Sequence, residues 1–220
     1  MCYNVTVKSL NSKRRSYMEY LYCTVIGYLF GCLSPSYIIS RIKNVDLREK
    51  GTGNLGATNT TMSLGRKFGV IVMIIDILKA FAAVKLCLFI FEIKLAGVIA
   101  GTCAMLGHMF PFYLKFKGGK GLACFGGFVL ALNIKQFLLL LIIGLVLSFV
   151  FNYGFMIPLS ASLAFPVLTG IHYQSLLAFL VTAAGCVAVL CRHRENIRRI
   201  KDGTEVKFRV FFLELFSRKK

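Results

Sequence analysis

The chain has no tryptophan, only four prolines and only nine acidic residues among 220. The shortage of acid leaves 27 Lys and Arg largely uncompensated, with a formal net charge of +18. Charged residues make up 16% of the chain against 57% hydrophobic ones, and the mean hydropathy is +0.71. A water-soluble domain of this size cannot cover that much apolar surface. A disordered chain is excluded as well, because it would be poor in Leu, Ile and Phe. A basic soluble domain would suggest nucleic acid, but here the cations flank long apolar runs, so no nucleic-acid partner is expected. C-x-x-C pairs are also missing, which removes zinc-ligand spacing. Seven of the eight cysteines (Cys23, Cys32, Cys87, Cys103, Cys124, Cys186 and Cys191) lie in or beside apolar runs and read as small buried hydrophobes. No metal and no cofactor are expected. Nor does the sequence before Tyr20 show the apolar core and cleavage site of a signal peptide.

What is present is a series of membrane-length segments. A bilayer core takes about 20 apolar residues per helix, and residues 20–39, 68–91, 95–114, 136–151 and 173–191 supply five such runs, the fourth of them short. Two shorter pieces, 122–133 and 155–169, lie between them and are read as short or re-entrant elements. The expected fold is therefore an all-α polytopic membrane protein of seven helices. Charge orients it. If 40–67 faces the cytoplasm, so do 115–121 and 192–220, and these three segments hold six, three and ten of the Lys and Arg. Cations concentrate on the cytoplasmic side, which puts the N-terminus outside and the C-terminus inside. Four of the cations on the opposite side lie in a polar arm, residues 1–16, and Met18 is an alternative start directly before the first span. The membrane domain is expected to run over 17–207, followed by a basic, amphipathic tail at 208–220 that lies along the interface or simply ends the chain.

The same three basic segments hold the chemistry. Gly51-Thr52-Gly53-Asn54-Leu55-Gly56-Ala57-Thr58-Asn59 matches G-x-G-x-x-G, but no strand precedes it, so a dinucleotide fingerprint fails for want of context. Its glycines permit an anion-binding nest of backbone N–H groups, with Thr52, Asn54, Thr58 and Asn59 as side-chain donors; a plain Gly-rich turn is the alternative. The second segment is Gly107-His108-Met109-Phe110-Pro111 followed by Lys115-Phe116-Lys117-Gly118-Gly119-Lys120-Gly121. Three lysines among three glycines suit phosphate oxygens, whereas a positive-inside anchor would need the lysines alone. In the third, His193-Arg194-Glu195-Asn196-Ile197-Arg198-Arg199-Ile200, His193, Asn196 and Arg199 recur at i, i+3 on one helix face. A basic juxtamembrane helix that binds anionic lipid explains most of those arginines, but it has no need of His193 or Asn196. Asp76 and Lys79, also i, i+3, lie inside a span, where charge is paired or functional; an internal salt bridge is the first reading and substrate contact the second. His172, near the outer surface, reads as a loop residue.

Together these segments resemble the bacterial acyl-phosphate:glycerol-3-phosphate acyltransferases, the PlsY family. The pattern G-S-G-N-x-G-A-T-N appears here as GTGNLGATN, L-G-H-x-F-P…F-K-G-G-K-G-V-A-T as LGHMFPFYLKFKGGKGLAC, and H-x-x-N-I-x-R-L-x-x-G-T-E-x-K as HRENIRRIKDGTEVK. Asp76-Ile77-Leu78-Lys79 resembles a D-x-L-K element, and the likeness covers about residues 20–207. It implies a multi-pass enzyme of the bacterial inner membrane with its site on the cytoplasmic side. Its reaction would move a fatty acyl group from acyl-phosphate to the 1-hydroxyl of sn-glycerol 3-phosphate, giving lysophosphatidic acid and phosphate. A soluble phosphate acyltransferase would supply the donor. The resemblance makes Thr52, Lys120, His193 and Asn196 the catalytic set. Gly51, Gly53, Asn54, Gly56, Thr58, Asn59, His108, Lys117, Gly118, Gly119, Gly121, Arg199, Gly203 and Glu205 are then the phosphate- and substrate-binding set.

The chain departs from the pattern at three places. Thr52 stands for Ser, keeping the hydroxyl on a stiffer side chain, and Cys124 stands for Thr. Met62 occupies the place of an Arg three residues after Asn59, and no lysine elsewhere fully replaces a bidentate phosphate ligand; Arg66 and Lys67 lie one turn on. Two other readings use the same features. One is a membrane transporter of an organic phosphate, which would show inverted repeats with two broken helices. The other is a weakly active or inactive paralogue that binds anionic lipid. Neither an H-x-x-x-x-D pair nor a G-x-S-x-G elbow is present, which argues against acyl-CoA-using and serine-hydrolase routes.

Overall fold

The structure, a computed structural model, describes the backbone of residues 2–216 and the side chains of residues 16–210, 212 and 213. Its described elements are helices: α1 Cys2–Cys32, α2 Pro35–Ile42, α3 Ala57–Leu64, α4 Arg66–Ile90, α5 Ala96–Met109, α6 Leu122–Leu132, α7 Ile134–Phe151, α8 Met156–Tyr173, α9 Leu176–Arg192, α10 Arg194–Lys201 and α11 Phe208–Phe216, with one 3-10 turn at Phe112–Leu114. By length and composition four segments can cross a bilayer: Ser16–Ile42, Ala96–Leu114, Ile134–Phe151 and Met156–Tyr173. α9 and α10, bent by 41° at their junction, count as a fifth when taken together as one span. With 25 residues α4 has the length, but Asp76, Lys79 and Lys85 interrupt its apolar run.

Several boundaries differ from the sequence expectations, each for a local reason. α1 starts at Cys2, so residues 2–16 of the expected arm are helical and run unbroken into the first span. That span breaks at Leu33–Ser34, where Pro35 begins α2; a proline is welcome in a first turn and pushes the residue before it to extended backbone, as Ser34 shows (ψ 93°). The piece expected to be short at 155–169 is a full 18-residue helix, α8. Only α6, with 11 residues, stays too short to cross alone.

The bundle is organised around α5, of which 67% of the span window is buried, compared with 17% for α7. Small residues make this possible. Gly27 and Gly31 on α1 lie so close to Ala100 and Ala104 of α5 that any Cβ would collide with those backbone carbonyls; this is the small-x-x-x-small contact used where lipid offers no hydrophobic drive between helices. On the other side Gly127 of α6 meets the backbone of Ile77 on α4 in the same way. Phe125 and Phe128 of α6 pack edge-on to Phe165 of α8, with centroids 5.3 and 5.2 Å apart. The outward faces of α7, such as Leu138, Leu139, Ile142 and Val146, are exposed apolar surface, as a lipid-facing helix requires. Of the described cysteines, Cys23, Cys32, Cys87, Cys124 and Cys186 are buried as small hydrophobes, Cys103 is half-buried and Cys191 is exposed; all are free thiols.

The tail is docked. Among the described residues, Arg209 gives its guanidinium to the Phe149 and Val150 carbonyls at the end of α7, and Phe208 and Phe212 stack edge-on against Phe149.

Candidate active site

The C-terminal ends of α5 and α9 and the N-terminal ends of α4 and α6 meet at one end of the bundle, where they gather the three sequence segments. Their meeting point is the Gly118–Gly119 turn. A Cβ on Gly119 would collide with His108 Nε2 and come within 2.8 Å of the Leu55 carbonyl, and one on Gly118 would strike the His108 carbonyl. The turn therefore has room for glycine only. Its amides are already committed: Gly118 N–H donates to the Met109 carbonyl (3.0 Å) and Gly119 N–H to the His108 carbonyl (3.1 Å). These two glycines were expected among the phosphate- and substrate-binding residues. What they supply is close packing between the first two segments.

Arg192, at the last turn of α9, closes the same turn from the other side. Its Nη2 donates to the Gly118 carbonyl (2.7 Å) and its Nε to the Gly119 carbonyl (3.3 Å), while the guanidinium lies over the Phe110 ring. The sequence reading missed this residue because it looked like one more interface cation. Its position one residue before His193 was the available clue.

Lys120 follows the turn. Its ammonium donates to Asn196 Oδ1 (2.6 Å), Asn196 Nδ2 donates to Glu205 Oε1 (2.6 Å), and Arg199 Nε pairs with Glu205 Oε2 (2.6 Å). Glu205 reaches back because Gly203 adopts a left-handed φ of +70° and the amides of Thr204 and Glu205 both return to the Arg199 carbonyl. Asn196 is thus locked by both ends of its amide. Lys120 is half-buried, and one of its three N–H donors is given to Asn196. Burial and the charge of Arg199 lower its pKa from the usual lysine range, with Glu205 opposing.

His193 occupies the one-residue junction between α9 and α10, and the amides of Asn196 and Ile197 both bond to its carbonyl. It is 5% exposed, and its Nδ1 lies 2.8 Å from the Val189 carbonyl. A carbonyl only accepts, so Nδ1 carries the proton and Nε2 keeps its lone pair. Burial holds the imidazole pKa down at about 4; the bond to Val189 opposes this, and Lys120 and Arg192 reinforce it. The ring is neutral at physiological pH.

The first segment forms a tight loop rather than an open row of donors. Asn59, 1% exposed, accepts from Thr52 N–H (2.8 Å) and donates to the Leu47 carbonyl (2.7 Å), so it holds the loop closed. Gly51 and Gly53 take left-handed φ values of +56° and +68°, and Gly53 N–H is bonded to the Lys50 carbonyl. Thr52 and Asn54 are half-buried and Thr58 is exposed, while Gly56 is the N-cap of α3. Lys117 is exposed, and Gly121, at φ +90°, starts α6. Met62 is 51% exposed on α3.

His108 lies under the turn, 7% exposed. Its Nδ1 faces inward, 2.8 Å from Lys79 Nζ and 3.3 Å from Asp76 Oδ1, and Lys79 and Asp76 form a 2.7 Å ion pair. The internal salt bridge expected from the sequence is there. Among the described residues, no cluster of three His, Cys, Asp or Glu side chains is placed to hold a metal ion.

Fold and site define a multi-pass membrane protein with a cationic, glycine-lined polar site at one end of its helix bundle. Residues 21–203 match the sequence family described as glycerol-3-phosphate acyltransferase. The glycerol-3-phosphate acyltransferase of Lactiplantibacillus plantarum is 38% identical over 193 residues, covering 86% of this chain and 91% of that protein. The one from Aquifex aeolicus is 35% identical over 87% of this chain and 100% of its own length. The crystal structure of PlsY, an integral membrane glycerol 3-phosphate acyltransferase in its glycerol 3-phosphate form, superposes with a TM-score of 0.79 at 30% identity, covering 90% of this chain and 99% of that one. Its lysophosphatidic acid form superposes with a TM-score of 0.74. The chain belongs to the glycerol-3-phosphate acyltransferase family.

Proposed function

We propose that this protein acylates the 1-hydroxyl of sn-glycerol 3-phosphate, with acyl-phosphate as donor, to give lysophosphatidic acid and phosphate. The observation that carries the reading is the convergence of the three basic segments on one Gly118–Gly119 turn, with Lys120, Asn196 and His193 beside it. The bundle is read as seven crossings in a bacterial inner membrane, N-terminus out, with the site on the cytoplasmic side where the three cation-rich segments lie. A soluble acyl-phosphate-producing enzyme is the natural supplier of the donor.

In this mechanism Lys120, with Lys117 and Arg199 nearby in the sequence segments, neutralises phosphate charge, and Thr52, Asn54 and Thr58 add hydroxyl and amide contacts. Asn196, fixed by Lys120 and Glu205, is pre-organised. Neutral His193 accepts a hydrogen bond at Nε2 from the glycerol hydroxyl and orients it. The hydroxyl oxygen bonds to the acyl carbon, the carbon–oxygen bond to phosphate breaks, and phosphate leaves with the electron pair. A histidine with a pKa of about 4 is a poor proton sink at neutral pH, so the hydroxyl proton ends on the departing phosphate.

The test uses purified protein in lipid, given glycerol 3-phosphate with palmitoyl-phosphate or with palmitoyl-CoA. Lysophosphatidic acid is expected from the first donor alone. Equal use of palmitoyl-CoA would overturn the donor, and no product from either would overturn the reaction. The reading as a weakly active or inactive paralogue that binds anionic lipid is favoured only by Met62 and the basic tail, and turnover with palmitoyl-phosphate at the level of the Aquifex aeolicus relative removes it.

A further inference from the structure

Asp76, Lys79 and His108 are buried inside the bundle, where unsatisfied charge is costly. The Lys79 ammonium bonds to the Leu33 carbonyl at 2.5 Å and to His108 Nδ1 at 2.8 Å, and it forms an ion pair with Asp76 Oδ1 at 2.7 Å, an oxygen with no hydrogen bond of its own among the described residues. The Leu33 carbonyl belongs to the break between α1 and α2, so one ammonium ties α1, α4 and α5 together. Donation from Lys79 leaves Nδ1 without a proton and places the ring N–H on Nε2. That edge of the ring is the surface on which Gly119 rests, since a Cβ there would collide with Nε2. The backbone carbonyl of His108 also accepts from Gly119 N–H. Structural integrity alone would be served by replacing the charges with apolar residues, yet these charges end on the one ring that shapes the active-site turn.

We propose that Asp76, Lys79 and His108 form a positioning relay that fixes the orientation of the His108 ring and, through it, the Gly118–Gly119 turn that carries Lys120. The relay touches no substrate. It acts as an outer shell whose loss misplaces the groups that do, and losses of that kind are typically about ten- to a hundredfold. The inference rests on the acyltransferase reading for its kinetic readout, so a second readout independent of activity accompanies it.

Two variants test the relay. His108→Asn keeps an acceptor for Lys79 and removes the ring edge under Gly119. The double variant Asp76→Asn with Lys79→Met removes both charges together, so that neither is left buried alone. For each, the melting temperature, the KM for glycerol 3-phosphate, kcat, and hydrogen exchange of the Gly118 and Gly119 amides are measured in the full-length protein in lipid. The expected result for His108→Asn is a melting temperature close to that of the parent, about a tenfold rise in KM with a smaller change in kcat, and faster exchange at both amides. The double variant is expected to show the same kinetic and exchange pattern. Parental KM and exchange in a folded His108→Asn protein would overturn the relay, whether or not the double variant folds. Faster exchange in a protein that proves to have no acyltransferase activity would leave the relay standing and sink the assigned reaction instead.

Discussion

Two polar clusters, both rich in charge, meet at the same turn and are built to opposite ends. In the inner one, Lys79 bonds to the Leu33 carbonyl and to His108 Nδ1 and forms a 2.7 Å ion pair with Asp76, whose buried Oδ1 has no hydrogen-bond partner among the described residues. In the outer one, Lys120 donates to Asn196, Asn196 donates to Glu205 and Arg199 pairs with Glu205. The two differ in accessibility more than in composition, with both inner charges about 2% exposed at the side chain and Arg199 29%.

The contrast is broken most severely by separating the inner charges. Asp76→Ala leaves Lys79 uncompensated in the bundle and should cost about 3–5 kcal/mol of stability, read as a large fall in melting temperature in detergent. Lys120→Ala should do the reverse, leaving the melting temperature nearly unchanged and lowering kcat/KM by about a hundredfold or more. Next in size is Arg192→Lys, which keeps the charge but loses the fork that holds two carbonyls. About a tenfold loss of kcat/KM is expected, and steady-state kinetics beside Lys120→Ala will rank them. Met62→Arg should sharpen the outer cluster by supplying the missing planar cation, with the KM for glycerol 3-phosphate falling a few-fold, about 1 kcal/mol. The smallest effect is that of pH. His193 has its pKa lowered from 6.5 to about 4, so its neutral form persists through mildly acidic conditions. The kcat/KM should stay level as pH falls through 6.5 and drop only near 4. Stability should show the linked sign: the unfolded chain binds the proton first, so the His193 contribution is complete above 6.5 and declines as pH falls from there towards 4. An acid limb at 6.5 would mean that the imidazole is solvated.

Much of this was readable in the chain. The apolar runs and the asymmetry of Lys and Arg gave the membrane class, and three glycine-rich or His/Asn-bearing segments marked the site. What could not be read were contacts made across long stretches of sequence. Gly118 and Gly119 were grouped with the phosphate-binding residues because three lysines among three glycines suit phosphate oxygens, and their packing role could not be read: their amides bond to α5 and their carbonyls to Arg192. His108 was grouped with the ligands by its motif, although its partner is Lys79, 29 residues away. The spacing of His193 with Asn196 placed both at the start of α10, where the His193 carbonyl accepts from the Asn196 amide, but it could not show that the imidazole turns back to Val189. The length of α8 was underestimated because polar Ser160, Ser162 and Thr169 dilute its hydropathy, although they lie on half-buried or buried positions of the helix.

The docked tail has a consequence for how the molecule comes together. Lys207 pairs with Tyr153 through a backbone bridge, a 2.8 Å bond to the hydroxyl and a cation–ring contact at 4.3 Å, and the Phe208 and Arg209 amides are bonded to Asn152. The chain that leaves α7 at Asn152 thus returns to it after α8, α9 and α10, like a buckled strap. Closing that long loop carries an entropic cost that grows only slowly with its length, and once it is closed the segment behaves as one cooperative unit. His193, Asn196 and Glu205 all lie within the strap. α11, outside every catalytic motif, thereby ties the far end of the third segment to α7.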